Sequence, residues 1–522
     1  MFINEAYIDF TKKENREWIP AAIMNLRGRL PLKVPVTVDG RVISGLAVNK
    51  VQNPSDHRET VAENGMATQA EADAAILACE KAKKTWGHRP VRERADIIRK
   101  AADLMVRDKK ELICVEVLEE AKPFKEADAD VCEAIDFCRY YADEAERIFR
   151  HKPTTDIPGE TNHYHYIPKG TCLTVAPWNF PLAILCGMTV APLVCGDPVI
   201  MKPSNQAPAI GYELFKRLIE AGVPKEAVHF MTGSGRNIGD YLVRHPKVHM
   251  IAFTGSRDVG LHIVKEAALV HEGQRHVKKV IAEMGGKNAV IIDDDADLDV
   301  AVIGCLYSAF GFAGQKCSAL SRLIILDNIY DKFKTRFVEG MKSLKVGIAE
   351  DLDTKIPAVI DVPSRDRLMS VIERHQKNIA GQIDLTPELL ARGNFVPPTV
   401  FESDDMKSEL GQEEFFGPLV TLFKAKDINA AIDLANDSEF ALTGGVYSRS
   451  PSNIENVKKF MECGNLYINR QISGALVNRQ PFGGFKLSGA GGKAGGPDYL
   501  LHFTEPRTIT ENTMRRGFAP EV

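Results

Sequence analysis

One cysteine of this sequence lies in a polar, glycine-rich segment and differs in setting from most of the other nine. Cys317 ends the run Gly-Gln-Lys-Cys at 314–317, whereas most of the others lie in apolar runs and are expected to be buried structural residues. A neighbouring cation favours the thiolate form of cysteine, so Lys316 is expected to lower the pKa of Cys317. The sequence therefore predicts a nucleophilic thiol that forms a covalent intermediate with its substrate.

Two further polar residues could serve a reaction at such a thiol. Glu283 follows an apolar run and precedes Gly285 and Gly286, where a substrate can approach the backbone, so it is a candidate general base. Asn179 stands in Pro-Trp-Asn-Phe-Pro at 177–181 and offers a fixed N–H donor for an oxyanion. Taken singly, Asn179 could equally belong to an ordinary turn, and for Glu283 alone a surface turn is the favoured interpretation.

Two glycine-rich turns are candidates for binding a phosphate group. Gly-Ser-Gly at 233–235 with Gly239, and Phe-Thr-Gly-Ser at 253–256 with Gly260, each follow an apolar run and open a helical stretch. Glycine lets the main chain approach a phosphate, and a helix N-terminus supplies free N–H groups. Neither turn has the standard dinucleotide fingerprint, so plain turns between strand and helix are the alternative for each.

Composition narrows the class of protein. The chain of 522 residues is too long for one compact core, so two or three domains are expected. Hydrophobic residues make up 44%, charged residues 26%, and the net charge is -4, which gives no reason to expect binding to nucleic acid or a membrane. The cysteines are scattered without Cys-x-x-Cys spacing, which favours a reducing, cytoplasmic compartment, and no metal site is expected.

Alternating strands and helices are expected to position the candidate residues. Residues 70–150 have apolar side chains at helical spacing. From about residue 170, short apolar runs alternate with helical stretches, which indicates parallel βαβ units, and a second series starts near residue 288. Residues 350–395 are charged and weakly patterned, and are expected to be surface excursions. The fold class is therefore α/β, with two open parallel-sheet domains.

Six motifs in order resemble those of the aldehyde dehydrogenase superfamily, and the match runs from about residue 60 to 510. They are Pro-Trp-Asn-Phe-Pro at 177–181, Phe-Thr-Gly-Ser at 253–256, Glu-Met-Gly-Gly-Lys at 283–287, Gly-Gln-Lys-Cys at 314–317, Glu-Glu-Phe-Phe-Gly-Pro at 413–418 and Pro-Phe-Gly-Gly-Phe-Lys-Leu-Ser-Gly at 481–489. The gap of 34 residues from Glu283 to Cys317 also fits the pattern of that family.

The resemblance implies roles for these residues. Cys317 is the expected nucleophile, Asn179 and the main-chain N–H of Cys317 the oxyanion donors, and Glu283 the base that activates water to hydrolyse a thioester. NAD is the expected cofactor. The residues expected to bind it are Trp178, Lys202, Ser204, Gly235, Thr254, Gly255, Ser256, Gly285, Glu414 and Phe416.

Three C-terminal segments, with the residues around the nucleophile, indicate a substrate. They are Gly-Asn-Leu-Tyr-Ile-Asn-Arg at 464–470, Ser-Gly-Ala-Leu-Val at 473–477 and Lys-Ala-Gly-Gly-Pro-Asp-Tyr-Leu at 493–500, and are similar to the L-glutamate-γ-semialdehyde (1-pyrroline-5-carboxylate) dehydrogenase family. This resemblance implies oxidation of the semialdehyde to L-glutamate, the second step of proline catabolism. Main-chain N–H groups, a hydroxyl and an ammonium group suit its α-carboxylate. The residues expected at the substrate are Phe180, Lys316, Ser318, Gly474, Ala475 and Phe482.

The same resemblance implies a domain plan. Residues 1–148 and 170–282 are expected to form a Rossmann-like NAD(P)-binding domain, and residues 283–475 a catalytic domain. Residues 149–169 and 497–522 are expected to form a small β oligomerisation arm and tail that pair with a neighbouring subunit in a homodimer or larger homo-oligomer. Because both termini resemble the dehydrogenase half of bifunctional proline-utilisation proteins, proline dehydrogenase is an expected functional partner.

Some alternatives stay open at this point. Asn205 lies three positions after Lys202, where the family often has an acidic residue that disfavours a 2′-phosphate, so NADP could be accepted beside NAD. The substrate could be another semialdehyde, such as aminoadipate semialdehyde. A relative that only binds the cofactor is a third alternative, but the full set of Asn179, Glu283 and Cys317 argues against it. Glu283 also argues for water, rather than coenzyme A, as the acyl acceptor.

Overall fold

Eight strands form the first of two large sheets. The computed structural model describes residues 2–150, 152–155 and 157–514. In order across the sheet, the strands are Gly489–Ala490, Lys279–Glu283, Met250–Thr254, Cys172–Val175, Val199–Lys202, Val228–Phe230, Thr37–Val38 and Arg41–Val42. The five from Lys279–Glu283 to Val228–Phe230 are parallel, so their carboxyl ends share one edge.

Helices cover this sheet and form the large apolar core of the first half. The central strands are nearly continuous apolar runs because both of their faces are buried. The helices of this half are Ile19–Arg27, Gln69–Thr85, Val91–Arg107, Lys109–Glu119, Phe124–Ile148, Ala183–Cys195, Pro208–Ala221, Asp240–Arg244 and Arg257–Ala268. None of the helices in the described ranges is both long and apolar enough to cross a membrane.

Seven strands form the second large sheet. Across the sheet they are Ile379–Gln382, Thr399–Glu402, Leu419–Ala425, Leu320–Leu326, Asn288–Ile292, Thr443–Tyr447 and Asn465–Ile468. All neighbours are parallel except Ile379–Gln382, which runs antiparallel at one edge. Its helices are Leu298–Phe310, Tyr330–Lys342, Val362–Arg374, Pro387–Arg392, Glu409–Gln412, Ile428–Asn436 and Pro451–Phe460. The expected α/β fold with two parallel-sheet halves is confirmed.

The expectation for residues 350–395 is wrong. This stretch contains the helix Val362–Arg374 and the edge strand of the second sheet. Leu368, Val371 and Ile372 are buried, at the spacing of one helix face, and the Asp361 carboxylate caps the first turn. The helical period was therefore present, but the charged residues on the opposite face obscured it.

Three small sheets complete the fold. One consists of Leu32–Val34, Val48–Asn53 and Asp56–Gly65, and a second of Phe440–Ala441 and Phe485–Lys486. In the third, the strand Glu160–Pro168 of the expected arm pairs with Thr504–Asn512 of the tail and with Lys152–Pro153. Arm and tail therefore pair with each other within one chain. Residues 515–522 of the expected tail lie outside the described residues.

Candidate active site

The chain in front of Cys317 forms a strained turn. Phe312 and Ala313 have φ angles of 52° and 54°, a left-handed backbone that costs free energy outside glycine and is often retained at functional sites. Gly314 continues the left-handed path with φ of 67°, and a side chain there would overlap the main-chain oxygen of Gly417. This turn ends the preceding helix and leaves the thiol-bearing residue partly exposed.

Gln315 fixes this turn and links it to Asn179. Its side chain is fully buried: Oε1 accepts a hydrogen bond from Ile360 N at 2.9 Å, and Nε2 donates to the main-chain oxygens of Phe312 and Ala358. Its main-chain oxygen accepts a hydrogen bond from Nδ2 of Asn179 at 3.1 Å. The expected oxyanion donor therefore lies beside the nucleophile turn, although the two are far apart in sequence.

Asn288 fixes the chain on the other side of the thiol. Its Nδ2 donates to the main-chain oxygens of Cys317 and Ala319 at 2.7 and 2.8 Å, and its Oδ1 accepts from Thr443 N at 3.0 Å. Sequence reasoning missed both Asn288 and Gln315 as residues that position the site. The only local signal for Asn288 was an amide at the start of an apolar strand, and the only one for Gln315 was an amide two residues before the cysteine.

The expected effect of Lys316 on the thiol is wrong. The pKa of Cys317 is raised to about 12, by burial first and then by the negative charges of Glu414 and Glu283. Lys316 instead donates from Nζ to Oε2 of Glu126 at 2.7 Å, in an ion pair whose side chains are 3% and 9% exposed. Sequence neighbours need not point the same way, and the ammonium group is directed to this carboxylate rather than to the thiol.

Glu283 has the environment of a general base. It ends the strand Lys279–Glu283 of the first sheet, and its Oε2 accepts a hydrogen bond from Gly484 N at 3.3 Å. Its Oε1 is buried without a hydrogen-bond partner among the described residues. Burial raises the pKa of Glu283 to about 8, a rise that Gly484 N–H and the cation of Lys493 partly offset. A carboxylate with a pKa near neutrality can both take up and release a proton.

A further carboxylate near the thiol, that of Glu133, was not predicted. Glu133 lies on the helix Phe124–Ile148, and its negative charge contributes to the raised pKa of Cys317. Burial raises the pKa of Glu133 to about 8. The only sequence signal for Glu133 was an acidic residue within a predicted helical stretch.

The residues expected to bind a cofactor gather at one edge of the first sheet. Lys202, Thr254 and Glu283 are the last residues of three of its parallel strands. Ser256 precedes the helix Arg257–Ala268, and its hydroxyl does not cap the free N–H groups of that helix. Ligands of open parallel sheets bind outside the carboxyl ends of the strands, and a helix N-terminus favours an anion.

Lys202 is a buried cation beside one of the glycine-rich turns. It is 6% exposed, and burial lowers its pKa to about 8. A Cβ atom on Gly239, in the turn that starts at Gly235, would lie 3.6 Å from its Cε. The hydroxyl group of Ser204 is hydrogen-bonded to Gln206: its Oγ donates to Oε1 of Gln206 and accepts from Gln206 N.

The amide of Asn205 is bound to the other half of the same turn. Its Nδ2 donates to the oxygen of Gly233 at 3.1 Å, and its Oδ1 accepts from Gly233 N at 3.0 Å. This pair of bonds ties two neighbouring strand ends together. The Asn205 side chain is uncharged and faces the turn that contains Gly233.

A third group of cofactor candidates meets near the nucleophile. Oε1 of Glu414 accepts a hydrogen bond from Gly286 N at 2.9 Å, and burial raises its pKa to about 7. A side chain at Gly285 would overlap this carboxylate. Phe416 has φ of 55°, and its ring lies 5.6 Å from that of Trp178.

The residues expected at the substrate lie on separate segments. The ring of Phe180 lies 4.4 Å from Nζ of Lys122, and Ser318 is 7% exposed directly after the nucleophile. Phe482 immediately precedes the Gly483–Gly484 turn that contacts Glu283.

The loop of Gly474 and Ala475 approaches the helix that leads to the nucleophile. Ile472 N donates to Oγ of Ser308 on that helix at 3.2 Å, and Gly474 is exposed with φ of 77°. Beside it, Oγ of Ser473 is buried without a hydrogen-bond partner among the described residues, a donor that sequence reasoning did not single out.

Comparison with known proteins decides the family. The model of the aldehyde dehydrogenase family matches residues 44–509. The chain belongs to the aldehyde dehydrogenase family. This aldehyde dehydrogenase is 42% identical over 513 residues to 1-pyrroline-5-carboxylate dehydrogenase of Geobacillus sp. (strain WCH70), covering 97% of this chain and 98% of that protein.

Two solved structures are similar to the whole chain. The first is proline utilization A (PutA) of Bdellovibrio bacteriovorus, with a TM-score of 0.97 and 46% identity. That match covers 100% of this chain and 54% of PutA, so the chain spans about half of that longer protein. The second is 1-pyrroline-5-carboxylate dehydrogenase from Thermus with bound NAD, with a TM-score of 0.94, 39% identity and coverage of 98% and 99%.

Proposed function

We propose that this aldehyde dehydrogenase oxidises L-glutamate γ-semialdehyde to L-glutamate with NAD, the second step of proline catabolism. The observation that carries the proposal is the meeting of a cysteine thiol, a buried carboxylate with a raised pKa and an amide donor, at Cys317, Glu283 and Asn179. Similarity over nearly the full length to 1-pyrroline-5-carboxylate dehydrogenases supports the choice of substrate.

The proposed reaction uses these three residues in turn. The Cys317 thiol loses its proton to water and its sulfur adds to the aldehyde carbon. The oxyanion so formed accepts hydrogen bonds from the second N–H of the Asn179 amide and from the main-chain N–H of Cys317. A bound NAD would supply the hydride acceptor for this tetrahedral carbon. Glu283 then takes a proton from the water molecule that attacks the resulting thioester, which releases the carboxylate product and the thiol.

The described residues fit a dinucleotide. Lys202 supplies a buried ammonium group for the adenosine ribose, and Ser256 with its helix N-terminus supplies N–H groups for the pyrophosphate. Glu414 can accept hydrogen bonds from the nicotinamide ribose. Because Asn205 carries no charge, NADP is proposed as a second, less favoured cofactor.

The site also suits an amino acid that carries an aldehyde. The hydroxyl group of Ser318, the unpartnered Ser473 Oγ and the main-chain N–H groups of Gly474 and Ala475 are proposed to hold the α-carboxylate. Glu133, whose charge is felt at the thiol, suits the α-ammonium group. Lys316 is left out of this anchor because its ammonium group is bound to a carboxylate.

Initial rates of NADH formation test this proposal. Glutamate semialdehyde should exceed butanal in kcat/KM by about 10–100-fold, since a lost charge-assisted contact costs about 1.5–3 kcal/mol. Aminoadipate semialdehyde, one carbon longer, should be slower, and NADP should be used less efficiently than NAD. Equal efficiency on butanal would contradict the substrate, and no NADH from any of these aldehydes would leave only a cofactor-binding relative.

The same proposal includes an oligomeric state and a cellular compartment. The strand Thr504–Asn512 exposes most of its residues at the outer edge of the arm sheet, and an unpaired edge favours pairing with another chain. The helix Arg257–Ala268 also exposes Val259, Leu261 and Val264. We propose a homodimer or larger homo-oligomer in a reducing cytoplasm, where the ten free cysteines are stable, acting after proline dehydrogenase.

A further inference from the structure

The ammonium group of Lys493 is held by oxygens of two separate segments. Its Nζ donates to the main-chain oxygen of Gly464 at 2.6 Å, to Oδ1 of Asn465 at 3.0 Å and to the main-chain oxygen of Gly483. The three donors of the lysine are thus all satisfied inside the protein. Lys493 also lines a cavity of about 420 Å³ and is half-buried.

The segment that Lys493 holds is the one that contacts the base. Gly484 N donates to Oε2 of Glu283 at 3.3 Å, and a Cβ atom on Gly483 would lie only 2.9 Å from Oε1. Asn465 supports the same turn, since its Oδ1 also accepts from Gly483 N at 3.3 Å. A shift of this turn would therefore move the only hydrogen-bond donor of the Glu283 carboxylate among the described residues.

Few charges face Glu283. Lys493 is the cation that acts on it, and it lowers the pKa of Glu283 against the larger effect of burial. The thiol of Cys317 and the phenol of Tyr499 also face it, and the Glu283 charge raises the pKa of both. Of the groups described, Lys493 is thus the one that favours the ionised base by charge.

We propose that Lys493 is a positioning residue for Glu283: it holds the Gly483–Gly484 turn against the carboxylate, and its positive charge favours the ionised form of that carboxylate. This inference rests on the proposed function, in which Glu283 acts as a base in thioester hydrolysis. It concerns hydrolysis alone, because hydride transfer precedes the step that needs the base. The hydrogen bonds of Lys493 within the described part of the chain go to Gly464, Asn465 and Gly483, and not to Cys317 or Asn179.

Lys493→Met tests the proposal because it keeps the stem and removes the charge. The carboxylate is the active form of the base, so loss of the cation raises the pKa of Glu283 and moves the rise of kcat with pH to higher pH. At pH 7 the steady rate should fall by roughly tenfold, the effect of a shift of one unit. The first turnover, measured as a burst of NADH in stopped flow, should keep its amplitude and rate.

Three further variants make the outcome decisive. Lys493→Arg keeps the charge and should restore most of the rate and the wild-type pH profile. Lys279→Met removes a lysine four residues before Glu283 on the same strand, and should change neither. If Lys493→Met does not fold, Lys493→Gln takes its place, since it keeps a hydrogen-bond donor without the charge.

The outcomes separate this inference from the proposed function. A wild-type burst together with an unchanged pH profile and steady rate in Lys493→Met would overturn the role of Lys493 alone. Loss of the burst in that variant would also overturn it, because the residue would then act before hydrolysis. A wild-type protein that gives no NADH from glutamate semialdehyde contradicts the proposed function instead.

Discussion

Nδ2 of Asn179 lies 3.1 Å from the main-chain oxygen of Gln315, two residues before Cys317. One N–H of the amide is used in this bond, so the donor is fixed relative to the nucleophile and the second N–H stays available. Asn179→Ala should therefore lower kcat by about 10²–10³-fold, the usual effect of removing one oxyanion donor. Steady-state rates measure this, with the exposed Asn328→Ala as a control that should keep full activity.

Cys317→Ala should abolish turnover and leave NAD affinity nearly intact, because the thiol forms the covalent intermediate and binds no part of the cofactor. Turnover and fluorescence titration with NAD measure the two effects separately. Cys305→Ala is the matched control: that thiol is buried in an apolar helix, and its loss should affect stability rather than turnover. More than a few per cent of activity in Cys317→Ala would show that another group is the nucleophile.

Glu283→Gln should give a burst of NADH followed by very slow turnover, because the base acts after hydride transfer. In the wild type, burial holds the pKa of Glu283 at about 8, and only the carboxylate can take the proton of water. The steady rate should therefore rise with pH through about 8 and level off above it. Rapid-mixing and steady-state measurements across pH 6–10 test both points, and a variant without a burst would place Glu283 earlier in the reaction.

The sequence predicts well those features that repeat along the chain. The second predicted series of strands and helices is observed, with the helix Leu298–Phe310 among its members, and the central strands follow from short apolar runs. The apolar run before Glu283 also predicts that this residue follows a strand, and it is the last residue of Lys279–Glu283. In contrast, Gln315 and Asn288 are positioning residues only through contacts made in three dimensions, which no local pattern encodes.

The assembly prediction concerns the exposed edge of the arm. Because arm and tail pair within one chain, the strand Thr504–Asn512 is left as an outer edge that a second subunit can extend. Light scattering should give a mass of at least twice 57.7 kDa. Ile509→Pro would remove a main-chain donor from this strand and should weaken the assembly. A mass of one chain for the wild type at working concentration would contradict the prediction.

The ion pair between Lys316 and Glu126 leads to a prediction that differs from the sequence-based one, in which Lys316 acts on the adjacent Cys317 and on the substrate. They are 190 positions apart, and Tyr307 also donates to Glu126, at 2.9 Å. Burial alone would raise the pKa of Glu126, but the cation of Lys316 holds it below its usual value. A carboxyl with a lowered pKa stabilises the fold above its unfolded pKa, and this stabilisation is lost as pH falls through the folded value.

Removing one partner of a buried ion pair leaves an uncompensated charge, so Lys316→Met should lower the free energy of unfolding by about 3–5 kcal/mol. The double variant Lys316→Met/Glu126→Gln removes both charges and should recover most of that loss, as urea unfolding can measure. Because the ammonium group is bound to Glu126, the double variant should still prefer glutamate semialdehyde to butanal. If that preference disappears while the protein stays folded, Lys316 contributes to binding the substrate's α-carboxylate, together with Ser318 and the loop of Gly474.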